Sequence, residues 1–200
     1  FVINGIYKAL FKAKKELGLS SKIIMCFLRH LDEDSAFKTL EQALAHKDKI
    51  IGIGLDSSEI GNPPSKFERV FKLAIKEGFI TVAHAGEEGS PKYIWEALDC
   101  LKVSRIDHGV RCLEDKKLVK KLRDEQIPLT VCPLSNIKLC IFENLKNHNL
   151  KQLMDKGLLT TINSDDPAYF GGYLNTNLTE CFRALNLRKE DVERLIINSF

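Results

Sequence analysis

The sequence predicts an α/β fold built on a parallel sheet of the TIM (β/α)8 barrel type. Three observations predict it. Six short apolar runs of β character recur, helix-patterned segments separate them, and several runs end abruptly on a histidine or a carboxylate. The run starts lie roughly 25 to 30 residues apart, room for one crossover helix each time. Strict alternation of this kind implies parallel strands joined by right-handed crossovers. A doubly wound open sheet would carry a glycine-rich phosphate turn after its first strand, and none occurs. A closed barrel needs eight units and six are visible, so the expectation is a partial barrel lacking the first two β/α units, with residues 1–200 forming one domain.

The runs are Ile23–Leu28, Ile50–Leu55, Ile80–His84, Arg105–Gly109, Leu129–Cys132 and Thr160–Ser164. After the second, Ser65 and Glu68 behind Pro63-Pro64 have capping-box spacing. Phe67, Val70, Phe71 and Ala74 make one apolar face, and Gly78 stops the helix. After the third, Ser90-Pro91 reads as an N-cap with proline at the first helical position, and Ile94, Ala97, Leu98 and Leu101 supply the buried stripe. Leu118, Val119 and Leu122 do the same after the fourth run, with Lys116, Lys117, Lys120 and Lys121 as the solvated face. Leu150, Leu153 and Met154 follow the fifth run, and Gly157 ends that helix. Leu178, Phe182 and Leu185, then Val192, Leu195 and Ile196, are the expected faces of the last helices.

Composition excludes several classes. A hydrophobic content of 44% with 28% charged residues is that of a globular chain, and a net charge of +3 is too small to imply a nucleic-acid partner. No apolar run approaches membrane-spanning length, and Phe1-Val2-Ile3-Asn4-Gly5 lacks the basic start of a signal peptide. The absence of an initiator methionine suggests a chain that begins mid-protein. Six cysteines without CxxC spacing, several within apolar patterns, read as reduced thiols of a cytoplasmic protein.

The chemistry lies at the strand ends. His84-Ala85-Gly86-Glu87 sets an imidazole at one tip and a carboxyl three residues on, with Gly86 allowing close backbone approach. His84 either ligates or catalyses there, or merely hydrogen-bonds a neighbouring carbonyl. Asp165-Asp166-Pro167 pairs two carboxylates whose burial would cost several kcal/mol without a cation or donor. The alternative is an N-cap aspartate ahead of a proline-started turn. His108 after Asp107 is placed for proton work, or is a satisfied core histidine. His30 also follows a strand, after Arg29, and is a candidate to support the site from behind, whereas His46 and His148 fall on helical segments expected to be solvated. A mixed histidine and carboxylate set suits zinc or another borderline divalent metal. The cytidine-deaminase signature of H-x-E and P-C-x-x-C is absent, as is any G-x-S-x-G.

His84-Ala-Gly-Glu87, Asp107-His108-Gly109, Cys132-Pro133-Leu134-Ser135-Asn136 and Ser164-Asp165-Asp166-Pro167 resemble, in order and spacing, the adenosine and AMP deaminase family of zinc hydrolases. Gly54-Leu55-Asp56-Ser57-Ser58-Glu59 departs from the Asp-Leu-Ala-Gly form and resembles the branch acting on free adenine. The resemblance implies hydrolysis of adenine to hypoxanthine and ammonia in purine salvage, with one zinc ion per complete chain and a small purine as the partner. His84 and Asp165 would be zinc ligands, Glu87 the acid at purine N1, and His108 the group that orients water and takes its proton. Asp166 would bond N7, and the backbone at Ser57 would meet the far side of the ring. Adenosine deamination is the nearest alternative. A purine-binding chain without turnover is another, because the family's H-x-H ligand pair occurs nowhere among these residues.

Overall fold

The structure is a computed structural model that describes residues 1–200. Its strands are β1 (Ile23–Leu28), β2 (Ile50–Asp56), β3 (Ile80–Ala85), β4 (Arg105–His108), β5 (Leu129–Val131) and β6 (Thr160–Ile162). All five pairings are parallel, and the spatial order follows the sequence order from β1 to β6. A doubly wound sheet reverses its order midway; this one does not, as barrel construction requires. The register aligns His84 with Asp107 and Ala85 with His108, so the ends of β3 and β4 finish level.

The helices are α1 (Val2–Leu17), α2 (Glu33–Leu44), α3 (Glu68–Lys76), α4 (Pro91–Asp99), α5 (Lys116–Asp124), α6 (Pro133–Lys138), α7 (Leu150–Asp155), α8 (Pro167–Phe170), α9 (Leu174–Ala184) and α10 (Lys189–Ile197). Helices α2 to α5 and α7 press apolar stripes on the sheet. Phe71 of α3 meets Phe27 of β1 edge-on at 5.8 Å between ring centroids. Leu118 and Leu122 of α5 are fully enclosed, each contributing about 1.5–3 kcal/mol of burial. No helix is long and apolar enough to cross a membrane.

Several local expectations need correction. The Ser65–Glu68 capping box does not form. Pro64–Phe67 winds as a 3₁₀ turn, and the free N–H groups of Arg69 and Val70 bond instead to Glu33 Oε1 at 2.8 and 3.0 Å. A carboxylate from α2 thus caps α3 across the helix interface, which also complements the helix dipole. Ser90 stands at the N-cap of α4 but makes no side-chain cap bond. Helix α9 turns Asn177 and Cys181 inward and leaves Phe182 exposed, because the Asn177 amide satisfies Leu134 N–H and the Gly172 and Tyr173 carbonyls. In α10, Leu195 is buried as expected while Ile196 is exposed. His46 is half-buried in a turn, and His148 is buried rather than solvated. Helix α1, which no expectation covered, buries none of its residues and touches the turn ahead of β2 through Lys49 Nζ, which donates to Asn4 Oδ1 at 2.9 Å.

Candidate active site

The carboxyl ends of β2, β3, β4 and β6 open into one cavity of about 270 Å3 whose lining includes Asp56, Ser57, His84, Glu87, His108, Asp165 and Asp166. The tips of β2, β4 and β6 are turned by unusual backbone. Ser57, His108 and Asp165 hold φ values of 83°, 64° and 55° without being glycine. Such conformations cost of order 1–3 kcal/mol each and persist where surrounding structure demands them. They swing these side chains from the strand direction into the shared hollow.

The loop after β3 is clamped from below. Arg29, fully buried at the end of β1, donates through Nη1 to the His84 carbonyl at 2.7 Å and through Nε to the Asn62 carbonyl at 2.9 Å. Buried Glu59, 3.9 Å from Arg29, accepts the N–H groups of Glu87 and Gly89. Removing one member of such a buried pair costs about 3–5 kcal/mol, because the other charge is left uncompensated. Gly86 is required here: its φ is +72°, and a Cβ would lie 2.4 Å from Ile94 Cδ1.

His84 and His108 stack edge to face with ring centroids 4.8 Å apart. His84 Nε2 lies 3.5 Å from Asp56 Oδ1, and its Nδ1 lies 3.6 Å from Asp107 Oδ2. Asp107 is itself held by Arg105 Nε at 2.9 Å and by Thr130 Oγ1 at 2.5 Å. His108 Nε2 sits 3.8 Å from Asp165 Oδ2, and its Nδ1 sits 3.2 Å from Glu87 Oε1. Asn136 Nδ2 donates to that same Glu87 oxygen at 2.5 Å. Burial pushes the Glu87 carboxyl up to about 8, with the nearby Asp165 charge adding to the effect and the Asn136 bond opposing it. Burial, with His84 alongside, holds His108 well below the ordinary imidazole range, and burial also raises Asp165. Burial thus biases the pocket toward a protonated acid beside a neutral imidazole.

The donor set fits a borderline divalent cation. His108, Cys132 and Asp165 offer ligand atoms that all lie within 4.8 Å of one another. His84 Nδ1 is buried with no hydrogen bond, and a carboxylate waits just beyond reach behind it. An imidazole backed by a carboxylate is the usual outer support of a metal-bound histidine. In the sequence Cys132 figures as part of a motif but without a ligand role, and burial, with carboxyls nearby, drives its thiol well above the usual range.

The predicted residues thus fall together: His84, Glu87, His108, Asp165, Asp166 and Ser57 all line the one cavity. Asp166 is the N-cap residue of α8 by position, yet its side chain makes no cap bond and stays exposed. Ser57 donates its N–H to Asp56 Oδ1 at 2.5 Å, and its hydroxyl pairs with His30 Nδ1 at 2.7 Å. In the sequence Asn136 and Glu59 figure only as members of motifs, without a role, His148 is expected to be solvated, and the Arg29–Glu59 pair has no role.

Imidazoles and carboxylates gathered at the carboxyl ends of parallel strands define the architecture of a metal-dependent hydrolase. The sequence matches the adenosine deaminase family over residues 1–200, and the chain belongs to that family. It is 60% identical to an adenine deaminase of Acinetobacter baylyi over 199 residues, covering 100% of this chain and 60% of the relative. An adenine deaminase of Crocosphaera subtropica is 61% identical, with 61% of its length covered. Among solved structures, adenine deaminase from Arthrobacter aurescens superposes with a TM-score of 0.97 at 48% identity, over 99% of this chain and 61% of that one. An amidohydrolase from Burkhoderia ambifaria solved with bound Zn gives 0.90 at 25% identity, over 98% and 55% of the two chains. The chain therefore spans about 60% of the length of the curated relatives it matches. The family is metal-dependent.

Proposed function

We propose that the full-length protein is a zinc-dependent adenine deaminase, converting adenine and water to hypoxanthine and ammonia in cytoplasmic purine salvage. The observation that carries this reading is the convergence of Glu87 and His108 in one cavity with His84 and Asp165, where burial pushes the Glu87 carboxyl up and the His108 imidazole down. The relatives named adenine deaminase support the choice of free base. Six free thiols support the reducing compartment. The domain is read as the larger part of a (β/α)8 barrel, with the family's H-x-H ligands elsewhere in the full-length chain.

His84 and Asp165 would hold the zinc ion, which supplies water acidified toward a pKa of about 7. Glu87 protonates purine N1, which makes C6 electrophilic and offsets charge as aromaticity breaks. His108 takes the proton of the attacking water and passes it to the departing amine, so ammonia leaves neutral. The hydroxyl proton of the adduct returns to Glu87 as the C6 carbonyl forms, and the acid is restored. Asp166 at the rim accepts from, or donates to, purine N7, and the chain at Ser57 closes over the opposite edge. Positioned acid–base groups of this kind contribute about 10²- to 10⁴-fold each.

The test is release of hypoxanthine and ammonia from adenine by zinc-loaded full-length protein, with adenosine assayed in parallel. Turnover of adenine with little of adenosine is expected. Preference for adenosine, or purine binding without release of ammonia, would overturn the assignment.

A further inference from the structure

Asn136 carries one half of the Glu87 arrangement, yet an amide can face either way. Turned as it stands, Nδ2 donates to Glu87 Oε1 at 2.5 Å. His108 Nδ1 lies 3.2 Å from that oxygen and 3.3 Å from Asn136 Nδ2, so the three side chains meet at one point. With Oε1 accepting from the amide, the acid proton is placed on Oε2. With the amide reversed, Asn136 would present a carbonyl to Glu87 and draw the acid proton away from the cavity. Something must hold the amide in the first orientation.

His148 has the geometry to do so. It follows the 3₁₀ turn Leu145–Asn147 and is 3% exposed, with its ring 4.4 Å from that of Phe142. Its Nδ1 accepts the N–H of Leu150 at 3.0 Å. That N–H opens α7 and has no partner within its helix, so the imidazole ring serves as its cap. A neutral imidazole that accepts at one nitrogen carries its proton on the other. Nε2 therefore donates, and it lies 3.1 Å from Asn136 Oδ1. Burial keeps this ring neutral, near a value of about 4. Next door, Asn149 Nδ2 donates to the Val110 carbonyl at 2.7 Å, tying the segment to the loop that follows His108.

We infer that His148 is a positioning residue of the active site: by donating from Nε2 to Asn136 Oδ1 it locks the amide that places the proton of Glu87. The backbone N–H of α7, the His148 ring, the Asn136 amide and the Glu87 carboxyl form one directional chain. This rests on the proposed role of Glu87, but its geometric half stands apart from any activity.

Two substitutions separate positioning from packing in the full-length protein. In His148→Gln the side-chain amide reaches the place of Nε2 and can still donate to Asn136. In His148→Asn the amide stands at the place of Nδ1, keeps the Leu150 cap and loses Asn136. Adenine turnover of His148→Asn should fall about 10- to 100-fold in kcat, with KM within about two-fold, while His148→Gln stays within about three-fold of the parent. The side-chain amide proton resonances of Asn136 should move in His148→Asn and hold in His148→Gln. Equal kcat in the two folded variants would overturn the positioning role. Independently of folding or turnover in either variant, nitrogen-15 spectra of the parent at neutral pH should show His148 protonated only at Nε2. A proton on Nδ1, alone or as part of a charged ring, would overturn the proposal. If adenine is not turned over at all while the Nε2–H form and the Asn136 shifts are found, the functional reading fails and the geometric one survives.

Discussion

The floor and the rim of the cavity are built from similar side chains and behave differently. On the floor, Glu87, His108, Asn136 and His148 are each no more than 7% exposed and bond mainly to one another. On the rim, Asp56 and Ser57 are half-buried and Asp166 is exposed. The floor is dry, so its carboxyl is pushed toward the neutral form and its imidazole stays uncharged. Burial rather than residue type decides which carboxyl of this pocket serves as an acid. The rim instead offers hydrogen bonds that a solvated ligand can exchange for water at little cost. On the proposed reading, proton chemistry belongs to the floor, and capture and orientation belong to the rim.

Asp165, half-buried between the two layers, should give the largest effect. Asp165→Ala removes a proposed ligand, and metal analysis of the full-length protein should find zinc lost together with essentially all turnover. Asp166→Ala, one residue away on the rim, should keep zinc. Its kcat/KM for adenine should fall about 10²-fold through the lost N7 contact. Equal metal loss in both variants would erase the distinction between ligand and rim.

A further contrast is thermodynamic. The Glu87 carboxyl is raised in the folded state, so the native chain binds the proton more tightly than the unfolded one. That contribution is complete below about pH 4.5 and is lost as pH rises through about 8. Urea unfolding of the metal-free protein should therefore show the parent losing roughly 2–4 kcal/mol relative to Glu87→Gln between these limits. Parallel stability curves would place Glu87 in a wet environment. The smallest effect is expected for Cys132→Ser. The thiol lies among the donors, but its raised pKa disfavours the thiolate. Zinc content should be unchanged and turnover within about three-fold of the parent; loss of zinc would promote Cys132 to a ligand.

The tips were legible in the sequence because the signal is local. An apolar run such as Thr81-Val82-Ala83 that ends on His84 marks both the strand and its opening into a pocket. The support behind the tips was not legible. Asn136 reaches Glu87 across 49 residues, and His148 reaches Asn136 from a stretch whose polar residues look like helix surface. Only the fold brings them together. Helix faces failed for a related reason. Periodicity offers Leu178 and Phe182 as a stripe of α9; Leu178 packs against the core, but Phe182 is exposed, because Asn177 has three bonds to make at the interior and turns the helix toward its own face. Helix α1 carries Ile3, Ile6, Tyr7 and Leu10 at helical spacing, but with no β run ahead of it nothing marked it as a crossover.

The most direct test of a dry floor that holds an acid is the turnover of adenine by zinc-loaded Glu87→Gln. The substitution preserves shape and hydrogen bonding and removes only the transferable proton. Zinc and purine should bind as in the parent while kcat drops by about 10³-fold or more. A variant that holds zinc and still deaminates adenine within about ten-fold of the parent would contradict the account.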